Sequence, residues 1–194
     1  MFESALTLRD VQRGQKIAYK TLVSAGLVAL AVILPQIVHM ALGQPGGVQW
    51  LPMYLPVLVG GCLLGWKWAL WVGLASPLVS FILTFAMGNP MPQSPRLPFM
   101  MAELAVFALV SGLFSKQIAR NGWWAFPAVI AAQLTGRAFF LALVKLFEAY
   151  VPFSAVMIWS QIKQGLMGLA VQAVVVPLII LALRAVLMKE KQHD

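Results

Sequence analysis

Charge is scarce in this sequence. Only 10% of its 194 residues are charged, against about a quarter in a typical water-soluble domain, so a soluble globular fold is close to excluded. Acidic side chains are scarcest, with six Asp and Glu against fourteen Lys and Arg. The resulting net charge of +8 does not gather into a patch or stripe. It is spread over the ends of apolar segments, which argues for membrane topology and against nucleic acid as a partner. The single cysteine, Cys62, lies in the apolar run 57–64, so the chain has neither a disulfide framework nor a thiolate metal cluster. His39 and His193 are its only histidines, too few for a metal centre, and His39 reads as a helix-end residue. The chain contains no phosphate-cradling glycine loop, no His-Glu-x-x-His and no Gly-x-Ser-x-Gly. Glu103 is the only carboxylate clearly inside an apolar segment, which leaves acid–base chemistry without a partner group. These absences predict a protein that is not an enzyme and holds no cofactor or metal of its own.

What is abundant is apolar sequence: 61% of residues are hydrophobic and the mean hydropathy is +0.85. Several runs reach the roughly 20 residues a helix needs to cross the hydrocarbon core. They predict an all-α membrane protein, a bundle of six transmembrane helices spanning about 21–42, 51–65, 69–87, 99–115, 124–147 and 161–187. The expected organisation is a cytoplasmic segment over 1–20, read as an amphipathic helix lying on the membrane, a transmembrane domain over 21–187 and a cytoplasmic tail over 188–194. The polar first twenty residues lack a cleavable signal, so the N-terminus is expected to persist in the mature protein. Gly43-Gln44-Pro45-Gly46-Gly47 is expected to end the first span, and the prolines of 89–98 to keep that stretch non-helical. Pro52 and Pro56 predict a kinked second span. Six spans put both ends on one side. Ten basic residues (Arg9, Arg13, Lys16, Lys20, Lys67, Lys116, Arg120, Arg184, Lys189, Lys191) fall there, against four elsewhere (Arg96, Arg137, Lys145, Lys163), which predicts an N-in, C-in orientation.

Polar groups inside spans are costly and mark functional positions by default. At about 1.5 Å per residue, Glu103 in span four and Arg137 in span five come to nearly the same depth. Gln36 and His39 of span one, Ser80 and Thr84 of span three, and Gln161, Lys163 and Gln164 of span six fall in the same outer third. Tyr54 lies near this layer and Gln133 near the middle of the membrane. Polarity therefore concentrates toward one face, and the expected substrate-binding set is Gln36, His39, Tyr54, Ser80, Glu103, Gln133, Arg137, Gln161 and Lys163. Glu103 and Arg137 read equally well as a structural ion pair or as a ligand site, while Lys145 and Lys163 have stems long enough to snorkel to the interface.

Small residues form a second pattern. Ala25 and Ala29, four apart in the inner half of span one, share a helix face that lets another helix approach closely.

The stretch Leu51-Pro52-Met53-Tyr54-Leu55-Pro56-Val57-Leu58-Val59-Gly60-Gly61, followed by Leu64-Gly65-Trp66-Lys67 and Val72-Gly73, resembles a signature of the S components of energy-coupling factor (ECF) vitamin transporters. The run from Met100 to Leu113 is similar to their fourth helix, and Gly136-Arg137 to a Gly-Arg pair in their fifth. Trp66 stands where proline is common and Tyr54 where histidine is expected. The resemblance implies a prokaryotic plasma-membrane subunit that binds a vitamin or related micronutrient from outside. Such a subunit docks through the small-residue face of helix one, here Ala25 and Ala29, onto a transmembrane coupling subunit driven by two ATP-binding-cassette ATPases. ATP is then used by the partners. Loops 43–50 and 88–98 would form a lid over the pocket. The competing reading is a self-contained small transporter or channel, which needs polar residues through both halves of the bilayer, where the inner half offers mainly Gln133 and Gln172.

Overall fold

The computed structural model describes residues 13–189, without the side chains of residues 13, 44 and 187–189. The expected surface segment therefore falls largely outside the described residues, as do Arg9, Lys191, His193 and most of the tail. The described residues form seven α-helices: α1 (Arg13–Trp50), α2 (Tyr54–Leu64), α3 (Trp66–Ala86), α4 (Leu97–Leu113), the short α5 (Ser115–Arg120), α6 (Ala125–Phe147) and α7 (Ala155–Lys189). Among the described residues, six stretches are long and apolar enough to cross a membrane: Gly14–Gly43, Pro45–Leu64, Trp66–Ala86, Ser94–Leu113, Gly122–Phe147 and Ala155–Val186. The six-helix membrane fold is thus present.

α2 explains the packing. Its sequence is apolar on every face, which suits a helix enclosed by others, and every residue except Leu55 is buried. Around it α3 packs against α1 and α4, α4 against α6, α6 against α7, and α7 against α1. The core centres on Val57, Leu58, Cys62, Leu104, Phe107 and Val129. The outward faces are also apolar, with Leu22, Trp71, Phe85, Leu134 and Leu178 exposed. In water this surface would aggregate; in a bilayer it meets lipid.

The first two spans differ from their expected boundaries. Helix does not stop at the Gly-Pro-Gly run. It breaks only at Gly43 (φ 68°, ψ −171°) and resumes through Pro45 to Trp50. Gly43 supplies the left-handed turn, and Pro45 falls in the first turn of the new stretch, where a missing N–H costs nothing. The second span is therefore Pro45–Leu64, interrupted in its interior at Leu51-Pro52-Met53, where Leu51 takes φ 50°. Non-helical backbone at that depth needs internal partners. Gln172 of α7 provides them, its Nε2 donating to the carbonyls of Trp50 and Leu51 at 2.9 Å each.

Elsewhere the reversal before α3 is confined to Gly65 (φ 83°), so Trp66–Lys67–Trp68 is already helical. α4 starts at Leu97 with a proline in its first turn, after a 3-10 turn over Ser94–Arg96. α7 begins at Ala155, six residues before the expected start at 161. Its C-terminal end meets the α5 end of the bundle, where Arg184 Nη2 donates to the Arg120 carbonyl at 2.9 Å.

Candidate functional site

The end of the bundle opposite the start of α1 contains a cavity of about 810 Å³. This volume is within the range of small-molecule sites. Three interruptions of regular structure build its rim: the break at Gly43, the connection 87–96 and the residues around Leu51–Met53. Apolar side chains such as Pro35, Met53, Met91, Met100 and Phe140 make up much of the wall.

Tyr54, Glu103 and Arg137 form its most buried polar group. Glu103 is 1% exposed, on the face of α4 that meets α2 and α6. Arg137 Nη1 donates to Glu103 Oε1 at 2.8 Å, and the Tyr54 hydroxyl donates to Glu103 Oε2 at 2.6 Å. Both carboxylate oxygens are thus engaged. The Arg137 guanidinium also lies over the Tyr54 ring, 4.7 Å from its centroid, and Tyr54 packs edge-on against Phe107 at 4.9 Å. Gly136 makes this arrangement possible, because a Cβ at that position would run into the Phe107 ring. The glycine lets α6 close on α4, which places the next residue, Arg137, beside Glu103. A buried, hydrogen-bonded pair of this kind is stable only while both members remain.

Seven of the nine sequence candidates line the cavity: Gln36, His39, Tyr54, Ser80, Glu103, Arg137 and Gln161. His39 sits at the helix break, its Nδ1 3.3 Å from the Gly43 carbonyl. Ser80 uses its hydroxyl on the Met91 carbonyl at 2.9 Å. One turn on, Thr84 Oγ1 accepts from the Met91 N–H at 2.7 Å. These two side chains pin the connection 87–96 to α3.

The remaining two candidates lie elsewhere. Gln133 is outside the cavity: its Nε2 donates to the Leu169 carbonyl at 3.1 Å and ties α6 to α7. Lys163 is exposed on the outer face of α7, its ammonium 5.7 Å from the Trp159 ring centroid. Its neighbours Gln161 and Gln164 line the cavity, since positions one and two removed on a helix point in different directions. The stretch 43–50, expected as a lid loop, is mostly helix, so only the connection 87–96 keeps loop character at the rim.

Sequence reasoning missed Arg96, which enters there only in the count of basic residues. Its Nη2 donates to Gln161 Oε1 at 2.8 Å and its guanidinium lies 5.6 Å from the Phe153 ring centroid, so it reaches the cavity wall from the turn before α4. The three prolines at 92, 95 and 98 around it, which stiffen the turn, were the available signal.

At the other end of α1, Ala25 and Ala29 are exposed, as is Gly26 between them. Just beyond the end of the fifth span, Glu148 accepts from the Lys145 ammonium at 2.7 Å and from the Ala155 N–H at 3.2 Å, and these bonds hold its carboxyl below the usual carboxylate range.

A model of the family described as "ECF transporter, substrate-specific component" matches residues 20–180 of the chain. No curated protein and no solved structure matches it.

Proposed function

The chain belongs to the family of ECF transporter substrate-specific components, and from that premise we propose that it captures a vitamin or related micronutrient in the cavity lined by Tyr54, Glu103 and Arg137. The observation that carries this reading is the cavity itself. It is large enough for such a ligand, lies at one end of the bundle, and is built around a buried charged group of the kind that is costly inside a membrane and marks a functional position by default. The positive-inside bias supports a cavity that faces outside, with both termini cytoplasmic, and membership of the family supports a prokaryotic plasma membrane. On this reading the ends of the chain beyond the first and last spans are cytoplasmic and flank the substrate-binding bundle.

Delivery then depends on other chains. A transmembrane coupling subunit docks on the exposed small-residue face at Ala25 and Ala29, where two backbones approach closely. Two ATP-binding-cassette ATPases supply the energy, so this chain binds substrate and needs no ATP site. The rival reading, a self-contained transporter or channel, requires polar groups free to line the other half of the bilayer. Gln133 and Gln172 are instead bound to backbone carbonyls.

Affinity purification of the tagged full chain from native membranes tests the proposal. A coupling subunit and two ATPases should accompany it. Recovery of the chain alone or as a homo-oligomer that transports unaided would contradict it.

A further inference from the structure

Resting on that reading of the cavity, we infer that its ligand is an amphipathic acid with one carboxylate, which the Nε–Nη2 edge of Arg137 grips while Arg96 supplies the second cation. The charges along the cavity wall are unbalanced. Arg96 and Arg137 face it with Glu103 as the only acid among the lining residues, which leaves one positive charge over. Glu103 pairs with Arg137 at depth, the surplus falls on half-buried Arg96 at the end of its span, and a bound monoanion lying between the two guanidinium groups cancels it. A cationic ligand would add to the excess, and a neutral one would leave it in place.

The hydrogen-bond inventory leads to the same class. Arg137 gives Nη1 to Glu103, whereas its Nε and Nη2 are buried and have no acceptor in the protein. These two nitrogens occupy one edge of the guanidinium, and their N–H groups run parallel, the fork that a carboxylate fits with two bonds. Glu103 is less open to an amine or hydroxyl donor, since it is 1% exposed and each of its oxygens already accepts a bond, from Arg137 or from Tyr54. Arg96 approaches from a different element, anchored to α7 through Gln161. A phosphate monoester fits less well, because its charge of about −1.5 to −2 exceeds the single positive charge available. The apolar wall of Pro35, Met53, Met100 and Phe140 receives the uncharged body of the molecule.

Matched pairs of probes test this on the purified full chain in detergent, by thermal shift and titration calorimetry. The acid and neutral members are biotin and biotinamide, nicotinate and nicotinamide, pantothenate and pantothenol, and lipoate and lipoamide. Pyridoxal 5′-phosphate with pyridoxal forms the phosphate arm, and riboflavin and thiamine the neutral and cationic arms. The expected binder is a carboxylic acid whose neutral partner binds at least about 10-fold more weakly, equivalent to about 1.4 kcal/mol. R137K keeps the charge and loses the fork, and should weaken that acid by about 10-fold or more; R96Q should weaken it by a smaller factor. Both variants should elute as the wild type does on size exclusion and still co-purify with the coupling proteins, which separates ligand recognition from folding and from assembly. Tighter binding of riboflavin, thiamine or the phosphate ester, absence of any carboxylate binder in the panel, or R137K at wild-type affinity would overturn the inference. The proposed function would then still stand on the co-purification result.

Discussion

Removing both members of the Glu103–Arg137 pair should cost clearly less than the two single removals added together. Glu103 is 1% exposed and the Arg137 side chain 11%, with 2.8 Å between Nη1 and Oε1. Breaking a buried pair of this kind leaves an uncompensated charge and costs about 3–5 kcal/mol. R137Q strands the carboxylate on Tyr54 alone, and E103Q strands the guanidinium with a neutral amide. In the double variant E103Q/R137Q the two amides retain the capacity to hydrogen-bond each other across the same gap, so its penalty should fall well below the sum of the two single penalties. Unfolding of the detergent-solubilised protein, arranged as a double-mutant cycle, measures the difference. The account predicts a coupling energy of about 2 kcal/mol or more, at the upper part of the range for residues in direct contact. Additive penalties, within about 0.5 kcal/mol, would refute the idea that the two groups are held together as a buried pair. Ligand affinity is a separate readout of the same variants. If Arg137 also contacts substrate, the double variant should bind at least about 10-fold more weakly despite its recovered stability.

Other consequences follow from single contacts. G136L should push α6 off Phe107, destabilising by about 1–3 kcal/mol as overpacking does and weakening ligand binding, because Arg137 moves with its helix; both are read by thermal unfolding and titration. S80A/T84A removes the ties to Met91, at about 0.5–1.5 kcal/mol per bond. Limited proteolysis should then cut the connection 87–96 faster, while the helices stay intact. Q172L leaves the Trp50 and Leu51 carbonyls without their donor and should cost about 1–3 kcal/mol, measurable as an earlier unfolding transition. A25W or A29W should abolish co-purification with the coupling proteins yet leave ligand affinity of the isolated chain within about twofold, since both positions lie on the exposed face of α1 and outside the cavity lining.

Long apolar runs made the six spans legible, because crossing hydrocarbon demands length and composition that a sequence displays directly. The rise per residue was equally informative for Glu103 and Arg137: counting inward from the helix ends brought them to one level, and in the structure they touch. Backbone breaks were harder to place. Pro45 and Gly46 read as helix enders, yet proline in a first turn starts a helix as readily as it stops one, and the tertiary bonds from Gln172 determine where the second span is interrupted. Side-chain direction was the other gap. Depth alone could not separate Gln161, which faces the cavity, from Lys163, which faces outward, nor show that Gln133 turns toward the Leu169 carbonyl. Arg96 escaped notice because its role depends on Gln161 and Phe153, more than fifty residues away along the chain.

The central claim is that this chain by itself holds the substrate, in the cavity around Tyr54, Glu103 and Arg137. Native mass spectrometry of the full chain, purified without its partners from cells grown in rich medium, tests that claim most directly. The account predicts one small-molecule adduct per chain, released on denaturation and absent from the variant carrying Y54F, E103Q and R137Q together. An adduct retained at wild-type occupancy in that variant, or one seen only when the coupling proteins are present, would contradict it.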